Sequence, residues 1–246
     1  MLMNLIVDLG NTRVKCAVIN SEDKILVINR KPKRFCSKVI KDMLSKYKIN
    51  AAILSNTSTP DENTLHLLNS LSHFIHLNES TPLPVINGYE TPATLGKDRL
   101  AASVSSSLRF KNENVVFVDM GTCITMNYIT SEGVFLGGNI HPGISMRLKA
   151  MHRFTAKLPK VEISVPEEII GNSTVKALQN GAVKGAFLEI DAFIQLIQTK
   201  FGHIKVLLTG GDAYLFEKWT KNEIFVAPNL VLEGLNEILK YNAKKN

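Results

Sequence analysis

Val7–Asp23 reads VDLGNTRVKCAVINSED, and Val118–Gly133 reads VDMGTCITMNYITSEG. Laid side by side, Asp8 stands over Asp119 and Gly10 over Gly121, with one gap before Ser21 and Ser131. Each copy carries an apolar strand, an Asp–x–Gly turn, a second strand, a polar turn and a third strand. The strands fall at Met3–Val7, Val14–Ile19 and Lys24–Asn29 in the first copy, and at Val115–Val118, Cys123–Ile129 and Val134–Leu136 in the second. One such match could be chance. Two, half a chain apart and each followed by helix–strand alternation, argue for internal duplication.

Working outward, the first copy continues with a helix near 36–47, a strand Ala51–Leu54, a helix from Thr59 and a strand Phe74–Leu77. The run Thr59-Pro60-Asp61-Glu62 has the form of a capping box with proline at the first helical position. The second copy continues with helical periodicity at 143–153 and 174–199, a strand Val206–Leu208 and a last helix at 228–242. Gly137–Gly143 is expected to be a turn entering the 143–153 helix. The domains are expected at 1–112 and 113–246. The expected class is α/β: duplicated units, each a mixed sheet with a three-strand meander and flanking helices.

Composition excludes several classes. Hydrophobic residues make up 45% and charged residues 21%, ordinary for a globular chain. The opening MLMNLIVDLGN has no basic n-region and its apolar run stops at Asp8, so neither a signal peptide nor a membrane span is expected. Three cysteines, Cys16, Cys36 and Cys123, form no CxxC pair, and a reducing cytoplasm fits. Residues 30–48 hold eight Lys/Arg against Asp42 and account for the whole formal charge of +7. Phe35, Val39, Ile40, Met43 and Leu44 recur at helical spacing there, so the cations are expected on a solvated outer face. Without interleaved aromatics, a nucleic-acid or membrane role is the lesser reading.

The Asp–x–Gly turns suit phosphate. Gly10 and Gly121 allow close backbone approach, and nearby amides with the hydroxyls of Thr12 and Thr122 can donate to phosphate oxygens. Asp8 and Asp119 would repel phosphate alone, which implies an intervening cation, magnesium or a monovalent ion. Neither a P-loop nor a dinucleotide fingerprint occurs. Thr209-Gly210-Gly211-Asp212-Ala213, between a strand and a helix, is a weaker candidate for nucleotide approach.

Blocks in order along the chain carry a family resemblance. They are Asp8–Thr12, Gly96-Lys97-Asp98-Arg99, Asp119–Thr122, Gly137–Gly143, Thr155–Pro159, Thr174 with Gln179 and Gly181, and Thr209–Asp212. From residue 8 to residue 213 the chain resembles the type III pantothenate kinases, of the actin–sugar kinase–heat-shock superfamily, with duplicated actin-like (ribonuclease H-like) domains. The resemblance implies ATP-dependent phosphorylation of pantothenate at the start of coenzyme A synthesis, with Mg2+ and a monovalent cation, K+ or NH4+. It implies ATP binding by Asp8, Leu9, Gly10, Asn11, Thr12, Arg13, Val14, Lys15 and Thr122. It implies cation binding by Asp119 and pantothenate binding by Tyr89, Gly96, Lys97, Asp98, Arg99 and Thr174, with Asp98 as general base. A homodimer is implied too, with the pocket near the interface and Thr174 reaching across it.

Chemistry agrees with these roles. A carboxylate is a sufficient base for a primary alcohol. A guanidinium holds a substrate carboxylate in forked geometry, and pantothenate carries both groups. Asn127 stands where the family usually has an acidic residue, which points to a shifted ion preference. His141 is expected to make a structural hydrogen bond, Trp219 to pack, and His73 and His76 lack partners for zinc. Competing readings are an acetate or sugar kinase, and a non-catalytic regulator whose basic helix binds nucleic acid.

Overall fold

The computed structural model describes residues 3–220 and 222–243. The chain forms two compact units, Met1–Arg109 with Asn229–Asn246, and Phe110–Pro228. The sequence division at 112/113 leaves the last helix with the second half; in the structure that helix belongs to the first unit.

In the first unit β1 (Met3–Leu9), β2 (Arg13–Asn20) and β3 (Ile25–Pro32) form the meander. Then come α1 (Cys36–Lys46), β4 (Ile49–Asn56), α2 (Glu62–Asn69), β5 (His73–His76), β6 (Ile86–Asn87) and α3 (Lys97–Arg109). The sheet order is β3-β2-β1-β4-β5, with β1 antiparallel to β2 and parallel to β4. Alternation sorts the two faces. Leu5, Val7, Leu9, Val14, Cys16 and Val18 pack with Val39, Ile40 and Met43 of α1 and Leu68 of α2. Burying each such aliphatic side chain contributes roughly 1.5–3 kcal/mol. The cations of α1 point outward: Lys38, Lys41 and Lys46 are exposed, as expected.

The capping box is displaced. Asp61, not Thr59, caps α2: its Oδ1 accepts from the Thr64 amide at 2.8 Å and its Oδ2 from the Thr64 hydroxyl at 3.0 Å. Two hydrogen bonds from one threonine hold the start two residues later than the sequence suggests.

The second unit repeats the plan. It contains β7 (Val115–Met120), β8 (Cys123–Ile129), β9 (Val134–Pro142), α4 (Ile144–Arg153), α5 (Thr174–Gln179), α6 (Gly185–Phe201), β10 (Lys205–Thr209), α7 (Ala213–Glu217) and β11 (Phe225–Val226). Its strands run β11-β10-β7-β8-β9, the order of the first sheet strand for strand. One core of Val116, Val118, Met120, Ile124 and Met126 packs under α4 to α7. Trp219 packs there, its ring 5.3 Å from that of Phe187. Residues 180–184 form a π-helical turn joining α5 to α6.

The glycine-rich segment is strand, not turn. Gly137 (φ 103) and Gly138 (φ 155) continue β9, and a Cβ on Gly138 would come within 2.7 Å of Asn127 Cα. Only glycine lets β9 lie this close to β8. The last helix, α8 (Leu230–Ala243), packs on α3, β1 and β4 of the first unit. A Cβ on Gly234 would lie 2.6 Å from the Ala101 carbonyl carbon, so α8 and α3 touch backbone to backbone there.

Among the described residues no helix is long and apolar enough to cross a membrane.

Candidate functional site

Each Asp–x–Gly turn closes between the two antiparallel strands of its meander. In the first, the Gly10 amide donates to Arg13 O at 2.9 Å. Leu9 O accepts from the Thr57 amide at 3.0 Å, Gly10 O from the Ser58 hydroxyl at 3.1 Å, and Thr12 O from the Lys33 amide at 3.1 Å. The carbonyls of the turn are thus engaged by protein. Among the described residues no backbone acceptor takes the amides of Asn11 and Thr12, and both residues are exposed. A turn whose carbonyls accept from protein and whose exposed residues keep amides without a backbone acceptor suits an anion.

The second turn is made alike. Gly121 N donates to Cys123 O at 3.0 Å, Met120 O accepts from the Asp212 amide at 3.0 Å, and Thr122 O accepts from the Gly143 amide at 3.2 Å. Asp8 pairs with Lys15 whereas Asp119 pairs with Thr125, so the second turn is one residue shorter. The gap between the repeats therefore falls inside the turn.

The register shows what stands beside each aspartate. Asp8 lies between Lys15 of β2 and Ser55 of β4; Asp119 lies between Thr125 of β8 and Thr209 of β10. Asp8 thus has a cationic neighbour, and Asp119 has two hydroxyl-bearing ones. Sequence reading missed Ser55, and it named Thr209 only within the Thr209–Ala213 segment, not as the neighbour of Asp119. Their signal was a hydroxyl residue at the last or next-to-last position of the parallel strand beside each Asp–x–Gly strand.

Gly210 is required at the second turn: at φ 96, a Cβ there would lie 2.5 Å from Asp119 Oδ1. The bare backbone leaves a cradle beside the Asp119 carboxylate. Burial pushes the nearby Asp212 carboxyl up. Among the described residues no three His, Cys, Asp or Glu gather around one point. A cation at either turn must then draw its remaining oxygen ligands from hydroxyls, carbonyls, phosphate or water, as Mg2+ and K+ both accept. The donors present fit such ions.

Asn127 is fully buried below Thr125, and its Nδ2 donates to Thr125 Oγ1 at 3.0 Å and to Phe117 O at 3.4 Å. A carboxylate could make neither bond as donor. The amide therefore keeps the layer beneath Asp119 neutral.

The Gly96–Arg99 block opens α3. Asp98 Oδ1 accepts from the Arg99 amide at 2.8 Å, and a Cβ on Gly96 would come within 2.6 Å of that oxygen. Arg99 is only 6% exposed, and its guanidinium carbon lies 5.5 Å from the centroid of the Tyr89 ring. A buried guanidinium against an aromatic face is preorganised for a carboxylate. An electrostatic influence and hydrogen bonds link this block to the first turn within one unit. Burial, and then the charge of Lys97, hold the His76 imidazole below its ordinary range. His76 Nε2 is 2.7 Å from Asn56 Oδ1, and Asn56 ends the strand whose next residues bind Leu9 and Gly10.

Thr174 is exposed at the first position of α5, after its cap Ser173. It belongs to the second unit, and Tyr89 and residues 96–99 belong to the first. His141 lies in β9 with Nδ1 3.1 Å from Glu189 Oε2, the structural bond expected of it. Arg147 of α4 forks onto Glu189 of α6, with Nη1 2.8 Å from Oε1, and holds that carboxyl below the usual range.

Comparison with known proteins agrees with this construction. A family model for type III pantothenate kinase matches residues 4–196. A Bacteroides fragilis protein named type III pantothenate kinase is 40% identical, aligned over 98% of each chain. A Cytophaga hutchinsonii protein of the same name is 39% identical over 98% of this chain and 100% of its own. A Campylobacter jejuni crystal structure titled a putative Baf family transcriptional activator superposes with TM-score 0.63 at 24% identity, over 98% of this chain and 99% of that one. A Clostridium difficile dehydratase activator with bound ADPNP has TM-score 0.54 at 11% identity, covering 99% and 98%. These two show the fold, and the first two with the family model show that this chain belongs to the type III pantothenate kinase family.

Proposed function

We propose that the chain transfers the γ-phosphoryl group of ATP to the primary hydroxyl of pantothenate, giving 4'-phosphopantothenate and ADP. The observation that carries this reading is the duplicated Asp–x–Gly turn, with carbonyls of both turns engaged by protein, in a member of this family. In the proposed arrangement Leu9 to Lys15 line the phosphates, with the Asn11 and Thr12 amides and the Lys15 ammonium as donors and Thr122 adding a further one. Asp8 would hold Mg2+, which when bound would supply neutralisation of the phosphate charge during transfer. Asp119, with the Gly210 cradle beside it, takes the monovalent cation.

Arg99 holds the pantothenate carboxylate against Tyr89, while Gly96 and Lys97 shape the entrance. Asp98 accepts the hydroxyl proton as the oxygen attacks phosphorus; the phosphorus–oxygen bond to ADP breaks as the new one forms. Proton acceptance of this kind contributes about 10²–10⁴-fold.

The second unit exposes Phe154, Ile169, Ile170, Leu188 and Leu196 to 81%, 85%, 82%, 60% and 68%. Apolar exposure on this scale favours a covered face, and a second copy of the chain is its proposed occupant. Thr174, exposed on the same unit, then reaches the pantothenate of the partner.

One observation favours a nucleic-acid reading: Arg30, Lys31, Lys33, Arg34, Lys38, Lys41, Lys46 and Lys48 are all exposed. Duplex affinity that falls steeply with salt, with no pantothenate turnover, would support it.

The deciding experiment is ADP release from Mg-ATP and pantothenate, with and without potassium. Release that needs pantothenate and rises with potassium is expected. Folded protein without pantothenate-dependent release would overturn the kinase reading; potassium-independent release would remove the ion from Asp119.

A further inference from the structure

The third strand of the first unit presents a cation to the phosphate turn that the motif-based assignments leave out. In the β2–β3 register Lys15 pairs with Arg30, and Val14 with Lys31. Val14 and Cys16 face the core under α1, so Lys31 and Asn29 lie on that side of the sheet. Lys15 and Arg30 lie on the opposite side. Asp8 pairs with Lys15 on that side, so Asp8, Lys15 and Arg30 form one row across three strands.

One hydrogen bond orients the guanidinium of Arg30. Its Nη2 donates to Asn229 Oδ1 at 3.2 Å, and Asn229 is the residue before α8. No Asp or Glu forms an ion pair with Arg30 among the described residues, and the side chain is exposed. The internal duplicate supplies a control. In the second unit the matching row reads Asp119, Thr125, Ile140. The first row places two cations against one carboxylate; the second places none. Two adjacent cations against one carboxylate leave the row net positive, which complements a chain of phosphates.

We infer that Arg30 is a ligand of the nucleotide's terminal phosphates, acting beside Lys15 on the first Asp–x–Gly turn. The inference rests on the kinase reading above, and it assigns a contact outside the segment 8–15. It separates Arg30 from the rest of the basic run: Arg30 faces the Asp8 row, whereas Lys31 faces the other side and the α1 lysines face solvent.

The test is binding of a non-hydrolysable ATP analogue with Mg2+, measured by calorimetry for the parent protein and for Arg30→Ala, Arg30→Lys, Asn229→Ala and Lys31→Ala. Arg30→Ala is expected to weaken the analogue by about tenfold or more, the scale of one lost charge-assisted contact. Adenosine binding stays within about twofold, Arg30→Lys loses less than Arg30→Ala, and Lys31→Ala binds like the parent. Asn229→Ala, which removes only the tether, gives a smaller loss of the same kind. Parental affinity in Arg30→Ala, or an equal loss in Lys31→Ala, overturns the assignment. Should Arg30→Ala not fold, Arg30→Lys and Asn229→Ala carry the test, and parental affinity in both overturns it. Because the assay reads binding, it decides on Arg30 whether or not the parent turns over pantothenate.

Discussion

Asp98 and Arg99 are adjacent, yet the helix start gives them different environments. Asp98 turns back on the Arg99 amide, and Arg99 is buried against Tyr89. Proton acceptance and carboxylate binding are therefore separable by substitution. Asp98→Asn keeps size and the hydrogen bond to the Arg99 amide but cannot take a proton. It should leave ATP and pantothenate binding near parental values and lower kcat by about 10²–10⁴-fold. Steady-state kinetics with binding measured by calorimetry checks this, and an unchanged kcat would remove Asp98 from the base role. At this scale the sequence was most legible where a residue type is chemically forced. Gly10 and Gly96 mark close approaches, and the aspartates mark charge. Ser55, Arg30 and the pairing of Thr209 with Asp119 escaped because their meaning lies in the strand register, which no local motif encodes.

At the scale of elements, periodicity located the meanders, while ends and partners depended on tertiary contacts. β9 looked finished at Leu136 because two glycines follow; it runs on because those glycines press against β8. The pattern at 174–199 contains a π turn at 180–184, and an apolar stripe does not reveal one extra residue per turn. The last helix carries a plain amphipathic signal, which says that one face is buried and not against what. Gly234 was its one specific clue. A helix-interior glycine ordinarily costs about 1 kcal/mol relative to alanine, so Gly→Ala usually stabilises. Here the added methyl meets the Ala101 backbone, and separating α8 from α3 should cost about 1–3 kcal/mol. Gly234→Ala should therefore lower Tm by several degrees in thermal denaturation. A rise in Tm would show that the two helices have room to spare.

At the scale of the whole molecule, the duplication was legible because both copies kept their aspartate, glycine and strand spacing. A role for Thr174 was not, because it is an exposed helix-start residue with no local mark of one. The proposed dimer makes a demand that single-chain function does not. If Thr174 serves the partner's pantothenate, each pocket combines Asp98 of one copy with Thr174 of the other. Asp98→Asn and Thr174→Ala homodimers are then each impaired in both pockets. Co-expressed, they form mixed dimers in which one pocket carries both substitutions and the other carries neither. Activity should return in proportion to the mixed dimers, approaching half the parental rate per mixed dimer when separately tagged species are purified. If Thr174 instead serves its own chain, each pocket of the mixed dimer keeps one substitution, and no parental pocket forms. Sedimentation of the tagged species shows whether mixed dimers exist, so missing recovery from a verified mixed dimer places Thr174 in its own chain's pocket. A monomer in sedimentation, active with pantothenate, would leave the exposed apolar face of Leu188 and Leu196 to some other cover.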